Sequence, residues 1–411
     1  FSDVSYPAAA QGTSGLQFCS GFIDYNLDGW PDIYTAHDRI ANLNTLLENQ
    51  ADGTFADVGA AARADLAIEA MSVTSGDYDR DGLLDIYCTN IPEGNKLLHN
   101  DGPDSTNQYV FSEVAAESGV GFYGMSWGAV FLDADNDADL DLYVSGSVAG
   151  ADVRSAAFFQ NESDGTFSEP SAGFLGDTVV SYNNAIGDFN ADGYPDIMVI
   201  NIYPYFSHLW ASPALENNWI KLDLEGVLSN RDAIGTRVEC WANGQYQQHY
   251  TRCGNGFMGQ DTRTVSFGLG ESTLVDSIVV HWPSGHIDQH YNLNTNTRLA
   301  LREGGSTDGN ILPDPQTGLE PLIITSTDVA PEATTLRAYP SPTEDWLFVE
   351  STSEEITAYA IYNSQGQVVR QVPAQFFKRF KIDVRSLPSG TYYLSLIDAK
   401  QKNQVLSWIK S

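Results

Sequence analysis

Asp24, Asn26, Asp28 and Asp32 put an oxygen-bearing side chain at positions 1, 3, 5 and 9 of the stretch "DYNLDGWPDI". The pattern returns three times. "DYDRDGLLDI" carries Asp77, Asp79, Asp81 and Asp85, "DADNDADLDL" carries Asp133, Asp135, Asp137 and Asp141, and "DFNADGYPDI" carries Asp188, Asn190, Asp192 and Asp196. The chemistry available to such a row is coordination of a hard cation. Calcium takes about 6–8 oxygens at roughly 2.3–2.6 Å, backbone carbonyls among them. Position 7 of each loop is the natural carbonyl donor, which assigns that role to Trp30, Leu83, Asp139 and Tyr194. Clustered carboxylates repel one another, so a bound divalent ion is what makes such a turn favourable. The expectation is Ca2+ at about four sites. Gly29, Gly82 and Gly193 stand where the loop must bend sharply; the third loop has Ala138 there, so its turn is expected to be distorted or compensated by Asp139. No Glu stands at position 12, which excludes an EF-hand.

The elements that must hold these loops repeat with them. The loops start 53, 56 and 55 residues apart, and a second motif keeps the same step: "FSDV" at Phe1, "FADV" at Phe55, "FSEV" at Phe111 and "FSEP" at Phe167. Before the last three come "LLENQADGT", "LLHNDGPDS" and "FFQNESDGT". A fixed step of this length is read as an architectural repeat. The intervening runs are short, β-branched or aromatic, and bounded by turn residues, so they are strands. Four-stranded antiparallel units in series suggest propeller blades. The unmatched "FSDV" at the start is expected to complete the last blade and remove a free sheet edge. This spacing resembles the calcium loops of FG-GAP and VCBS-type repeats, the blades of integrin-like propellers, over about residues 1–212.

From Asn217 the character changes. "NNWIKLDLEG", "NRDAIGTRVECWA", "QQHYTRCGNGFMGQD", "TVSFGLGESTLVDSIVVHWPSG" and "HIDQHYNL" read as strands of a β-sandwich-like module. "SNRDAIGTRV", "FGLG" and "WPSG" resemble the ASPIC and UnbV domain, which implies an extracellular module over 213–301. Residues 302–335, with "GGSTDGN" and "LPDPQTG", read as a linker. Beyond it, "LRAYPSPTEDWLFV", "AYAIYNSQGQVVR" and "IDVRSLPSGTYYLSL" resemble the C-terminal sorting domain of type IX secretion cargo, over 336–411. That resemblance implies export across an outer membrane and recognition by the type IX secretion machinery. The expected fold class is all-β: a β-propeller-like repeat domain, a β-sandwich-like domain and a small C-terminal β-sandwich.

Charge bounds the partners. The chain has 54 acidic and 21 basic residues, a formal net charge of −33. Residues 336–411 hold 9 basic and 7 acidic side chains, so the acidity belongs to the first 335 residues, at net −35. Such a charge argues against nucleic acid or an anionic membrane as a partner, since both need basic surface. No apolar run reaches the roughly 18 residues that span a bilayer, and the first residue, Phe1, suggests a processed chain.

The four cysteines form no C-x-x-C pair, and an even count in an exported chain favours disulfides. Cys240 and Cys253 flank a hairpin signal, "ANG", and are the expected pair; Cys19 with Cys88 is a second possibility. His286, Asp288 and His290 alternate, which offers either a transition-metal site or, in preference, a solvated strand face. Tyr203, Tyr205, Phe206 and Trp210 offer either a sugar-stacking platform or, in preference, packing between domains. No nucleophile frame or phosphate loop is present. The expected function is that of a secreted, non-catalytic binding or structural protein for adhesion or surface assembly. Its partners would be a protein or glycan at the cell surface, or copies of itself. The alternative is an enzyme or binding protein for extracellular polysaccharide, since a fold alone does not decide function.

Overall fold

A computed structural model describes residues 3, 5, 6, 8–10, 15–91, 93–147, 155–170, 177 and 179–305, and, further on, 336–339, 346–351, 356–363, 368–372, 379–398 and 403–410. The molecule is all-β. No helix occurs among the described residues, so none is long and apolar enough to cross a membrane. Two compact units are present, one built on Phe1–Asn310 and the other on Ser326–Ser411.

The first unit opens with four sheets in chain order. β1 (Gln17–Ile23), β2 (Asp32–His37), β3 (Thr45–Asn49) and β4 (Phe55–Asp57) form the first, each strand antiparallel to its neighbour. β5 (Val73–Gly76), β6 (Asp85–Cys88), β7 (Lys96–Pro103) and β8 (Tyr109–Glu113) form the second. β9 (Met125–Leu132), β10 (Asp141–Ser147), β11 (Ala156–Asn161) and β12 (Phe167–Ser168) form the third. The fourth has three strands, β13 (Ser181–Gly187), β14 (Asp196–Asn201) and β15 (His208–Trp210). The closing strand expected from "FSDV" falls mostly outside the described residues, since only Asp3 of Phe1–Val4 is described.

Each Asp loop is the turn between the first two strands of its sheet. The last Asp pairs across the turn, Asp32 with Ile23, Asp85 with Gly76, Asp141 with Leu132 and Asp196 with Gly187. Apolar side chains fill the space between successive sheets. Tyr25, Tyr34, Ile86 and Phe111 lie between the first two, Tyr87, Phe122, Leu142 and Phe159 between the next two. At 25 cal/mol per Å2, burial of this kind is what offsets the chain entropy of so many short strands.

A buried Asn then stitches each repeat to the one before. The Asn100 side-chain amide donates to the Tyr25 carbonyl of the first loop at 2.9 Å, and that of Asn161 to the Tyr78 carbonyl of the second at 2.8 Å. Ser212 Oγ does the same for Ala134 of the third, at 2.6 Å.

The rest of the unit is a sandwich. One sheet runs β19 (Val265–Gly270), β16 (Asn218–Glu225), β22 (Thr297–Arg302), with β16 and β22 parallel. The other runs β18 (Gln245–Tyr250), β17 (Arg237–Ala242), β20 (Leu274–His281), β21 (Ile287–Asn294). Ile220, Leu222, Val238, Phe267, Ile278 and Val280 fill the space between them. The loop after β16 is held by one carboxylate. Glu303 Oε2 accepts the backbone N–H groups of Val227, Leu228 and Ser229 at 2.6, 2.7 and 2.8 Å, and Oε1 accepts the Ser229 hydroxyl at 3.0 Å. Burial alone would raise the Glu303 carboxyl, but the hydrogen bonds from Ser284, Ser229 and Val227 outweigh it and hold the group below its ordinary value. A depressed carboxyl contributes stability that is complete above the unfolded value of about 4.3 and is lost as pH falls through the folded value. Glu303→Gln is therefore expected to destabilise the unit by about 2–3 kcal/mol at pH 7. Urea melts at pH 7 and pH 3.5 check this: the gap between the two proteins should close at the lower pH, and a gap of constant size would refute it.

The cysteines correct an expectation. All four are thiols and neither Cys240–Cys253 nor Cys19–Cys88 is bonded. The "ANG" hairpin forms, with Asn243 and Gly244 at φ of 50° and 76°, but strand alternation turns Cys240 into the sandwich core. Cys253 lies beyond the end of β18, exposed, where the chain leaves the sheet. Burial pushes the Cys88 and Cys240 thiols up to about 12, so both are inert.

The second unit is a smaller sandwich. One sheet is β23 (Leu336–Tyr339), β24 (Trp346–Ser351), β27 (Arg379–Asp383), and the other β26 (Val368–Val372), β25 (Ile356–Asn363), β28 (Gly390–Asp398), β29 (Asn403–Lys410). Leu347, Ile361, Leu394 and Trp408 form its core, with Tyr392 stacked on Trp408 at 5.1 Å. Of the expected linker, 302–335, residues 306–335 lie outside the described residues, while its start belongs to the larger sandwich: Arg302 ends β22, Glu303 holds the loop after β16 and Gly304 N–H donates to Asp288.

Candidate metal centres

The four Asp loops share one backbone path. Position 4 is left-handed in each, at Leu27, Arg80, Asn136 and Ala191, with φ of 57°, 63°, 59° and 59°. Position 6 is left-handed as well: Gly29, Gly82 and Gly193 at 86°, 90° and 98°, and Ala138 at 82°. The third loop is thus not distorted. Ala138 takes the glycine conformation at a cost of about 1 kcal/mol.

What fixes that path is the first Asp. Asp24 accepts the N–H of Asp28 at 3.1 Å and of Gly29 at 3.0 Å; Asp133 accepts those of Asp137 and Ala138, both at 3.0 Å. Asp77 accepts Gly82 N–H at 3.1 Å, and Asp188 accepts Asp192 and Gly193 at 3.2 and 3.0 Å. Position 5 holds the next bend: Asp28, Asp81, Asp137 and Asp192 accept the N–H of Trp30, Leu83, Asp139 and Tyr194 at 2.8, 2.8, 3.1 and 2.9 Å. The last Asp ties the loop to the third strand. Asp32, Asp85 and Asp141 accept the N–H of Asn49, Asn100 and Asn161 at 2.8, 2.8 and 2.9 Å, and Asp196 that of Ser212 at 3.0 Å. The Asn in "LLENQADGT", "LLHNDGPDS" and "FFQNESDGT" is the sequence signal for that tie.

The carboxylates converge. Oxygens of Asp77, Asp79 and Asp81 lie within 4.8 Å of one another, as do those of Asp133, Asp135 and Asp137. In the first and fourth loops Asn26 and Asn190 take position 3 and donate to Asp28 and Asp192 at 3.1 and 2.8 Å. Several buried oxygens in this convergence have no protein partner: Asp77 Oδ1, Asp135 Oδ1 and Asp139 Oδ1. A buried carboxylate oxygen with no donor is costly, and a cation satisfies it. Burial and then like charge push Asp77 up to about 8, its neighbours Asp85, Asp81 and Asp79 being the charges. Burial leads for Asp32 and Asp141 too, both pushed up to about 8, and for Asp24 and Asp137, up to about 6. The donor set is all oxygen and suits calcium. The second loop adds His99, whose Nδ1 lies 3.2 Å from Asp85 and 3.5 Å from Asp79, a residue that sequence reasoning missed. The Asp85 hydrogen bond raises this imidazole to about 9.

The sandwich sheets close over the loops. A Cβ on Gly268 would fall 2.0 Å from Asp133 Oδ2 and 2.5 Å from Asn136 Cα, so β19 lies directly on the third loop. Gly270 N–H donates to Asn136 at 2.8 Å and the Asn217 side-chain amide to the Asp135 carbonyl at 2.9 Å. The Trp219 indole lies against Gly193 of the fourth loop, and Lys221 Nζ donates to Asp188 Oδ2. The buried Gln248 carboxamide approaches Asp77 of the second loop without making a hydrogen bond. Between loops and sandwich lies a cavity of about 380 Å3, lined by Asp77, Asp133, Asp188, Lys221, Gln248 and Arg252.

From β18 the chain then enters the four-sheet body. Arg252 donates to the Ser75 carbonyl on β5 at 2.6 Å, and Cys19 Sγ on β1 donates to the Gly256 carbonyl at 3.5 Å. Phe257 packs on Trp127 of β9 at 5.0 Å, and Asn183 of β13 donates to its carbonyl at 2.5 Å. Asp261 accepts Ile186 N–H on β13 at 2.9 Å. One segment, 252–261, therefore touches the first strand of all four sheets.

Two other candidates change. Asp288 and His290 are buried, not on a solvated face. Asp288 accepts Trp282 Nε1 at 2.8 Å and Gly304 N–H at 2.8 Å, and pairs with His286 at 2.9 Å, a structural network rather than a ligand set. Tyr203, Tyr205 and Phe206 do not pack between sheets; they are 93%, 54% and 89% exposed, and only Trp210 turns inward, against Val199 and its neighbours.

Comparison with known proteins agrees with this anatomy. Residues 24–88 and 77–144 match the FG-GAP-like repeat, residues 226–308 the ASPIC and UnbV domain, and residues 337–410 the secretion system C-terminal sorting domain. The matched repeats carry the first three Asp loops; the fourth lies beyond them. Cartilage acidic protein 1 of Xenopus tropicalis is 22% identical over 269 residues, which is 59% of this chain and 38% of that protein. The chain thus spans well under half of that relative. Among solved structures, BBS1N in complex with ARL6DN aligns over 97% of this chain and 94% of its own, at 9% identity and a TM-score of 0.27. The V. cholerae biofilm matrix protein Bap1 aligns over 99% and 74%, at 10% identity and a TM-score of 0.27. Neither score supports an argument.

Proposed function

We propose that this chain, which joins FG-GAP-like repeats and an ASPIC and UnbV domain to a type IX sorting domain that directs it to the cell surface or extracellular space, is a calcium-stabilised binding or structural protein, non-catalytic, acting in adhesion or surface assembly. The observation that carries the reading is how the acidic side chains are used. Asp24, Asp77, Asp133 and Asp188 are each committed to the N–H groups of their own loop, and the last Asp of each loop to the neighbouring strand. Carboxylates so engaged shape a turn around an ion. A general acid or base must instead reach a substrate proton. Calcium, held by Asp24, Asn26, Asp28 and Asp32 and by their counterparts in the following loops, would supply a positive centre that relieves carboxylate repulsion and pins the hairpin of each loop it occupies. The chain's own part is to orient those oxygens and cover them with β16, β18 and β19.

A second reading is favoured by the exposed Tyr203, Tyr205 and Phe206, since aromatic faces stack on sugar rings. One experiment serves both. The full chain with calcium is offered immobilised polysaccharides and immobilised copies of itself, and the eluate is assayed for new reducing ends and unsaturated sugars. Retention without products is expected. Glycan retention lost in Tyr203→Ala/Phe206→Ala would assign the face. Products that accumulate with time would overturn the non-catalytic reading.

A further inference from the structure

The fourth Asp loop differs from the others in one respect that its own sequence does not contain. Loops 1 and 4 have the same side chains at positions 1, 3, 5 and 9: Asp, Asn, Asp, Asp. They also share the same left-handed positions and the same backbone N–H donors to the first Asp. Yet among the described residues only the fourth has a lysine ammonium at its mouth. Lys221, on β16, is 5% exposed and donates to Asp188 Oδ2. Its Nζ lies over the Trp219 ring, 5.2 Å from the centroid, and that indole is itself seated on Gly193 of the loop. The pairing is therefore built from two side chains of one strand that alternate with the core residues Ile220 and Leu222.

We propose that Lys221 is the resident cation of the fourth loop, so that this loop binds no calcium and docks the sandwich onto the fourth sheet in a calcium-independent way. A buried lysine leaves water only for a partner that repays its desolvation, and here the partner is a carboxylate already oriented by two N–H groups. A divalent ion entering the same loop would meet the ammonium at its first ligand, and like charges that close repel strongly in a site shielded from water. Among the described residues no lysine or arginine is ion-paired with the first Asp of loops 1, 2 or 3, and His99 beside the second loop faces Asp85 and Asp79 rather than the first ligand, Asp77. The proposal rests on the calcium reading of those three loops.

The test is a site count. The full chain is stripped with chelator, dialysed into defined calcium, and its bound calcium counted by native mass spectrometry and calorimetry. Three ions per chain are expected, and four in Lys221→Gln. Asp188→Asn should leave three, whereas Asp24→Asn should leave two. Four ions in the unmodified chain would overturn the proposal even if Lys221→Gln cannot be folded, and so would three in a folded Lys221→Gln. No calcium in any form of the chain would overturn the reading of the loops themselves, a different result.

Discussion

Chelating calcium from the full chain is expected to lower the melting temperature of the Phe1–Asn310 unit by roughly 15–30 °C and to leave the Ser326–Ser411 unit unchanged. An ion that binds only the folded state stabilises by about 2.7 kcal/mol per site at a hundredfold excess over its dissociation constant. Three such loops give about 8 kcal/mol, and a unit of this size shifts by about 2–4 °C per kcal/mol. The effect is large because the carboxylates do not merely tolerate an ion. Without one, Asp77 Oδ1, Asp135 Oδ1 and Asp139 Oδ1 are buried with no donor, among neighbours that raise one another. The smaller sandwich, with its core of Leu347, Ile361, Leu394 and Trp408, is an internal reference. Differential scanning calorimetry with calcium and with chelator should show one transition that moves and one that does not. Coincident traces would refute the claim.

Gly268→Ala is expected to cost 3 kcal/mol or more and to release β19 from the third loop. Overpacking a fitted interior costs about 1–3 kcal/mol when side chains can adjust. Here the obstruction includes backbone: the added methyl would sit 2.5 Å from Asn136 Cα and 2.6 Å from its carbonyl carbon, as well as 2.0 Å from Asp133 Oδ2. Either the loop or the strand must move, and with it the Gly270 to Asn136 hydrogen bond. Gly21→Ala is the control, because a Cβ there meets nothing within 4 Å. Urea melts in calcium should separate the two variants clearly, with Gly21→Ala within about 0.5 kcal/mol of the parent. Equal stabilities would mean that the sandwich does not rest on the loop.

What was legible beforehand follows the range of the interactions involved. The Asp loops were readable because all their determinants lie within ten residues, and the 53 to 56 residue step placed them on equivalent turns. Ala138 keeps the glycine conformation for a local reason: Asp133 Oδ2 accepts its N–H at 3.0 Å and Asp137 accepts the N–H that follows at 3.1 Å, so the loop is held undistorted despite the methyl group. The misread residues depend on partners far away in the chain. Nothing near Gly268 or Lys221 announces Asp133 or Asp188. The alternation of His286, Asp288 and His290 correctly gave one face, but which face is buried is decided by Trp282 and Gly304. Cys240 and Cys253 have hairpin spacing, yet β18 ends at Tyr250 and the chain departs toward Ser75.

That departure governs when the molecule can become itself. Cys19 meets Gly256 across 237 residues, and Arg252 meets Ser75 across 177. Within each sheet the pairings are sequence-local and should form fast, while contacts of this separation carry a heavy loop-closure cost and come late. Each repeat can therefore form its own sheet early, yet the first strands of the four sheets are tied together only when the segment around Gly256 arrives, so commitment to the assembled unit is coupled to the sandwich rather than to the formation of each repeat.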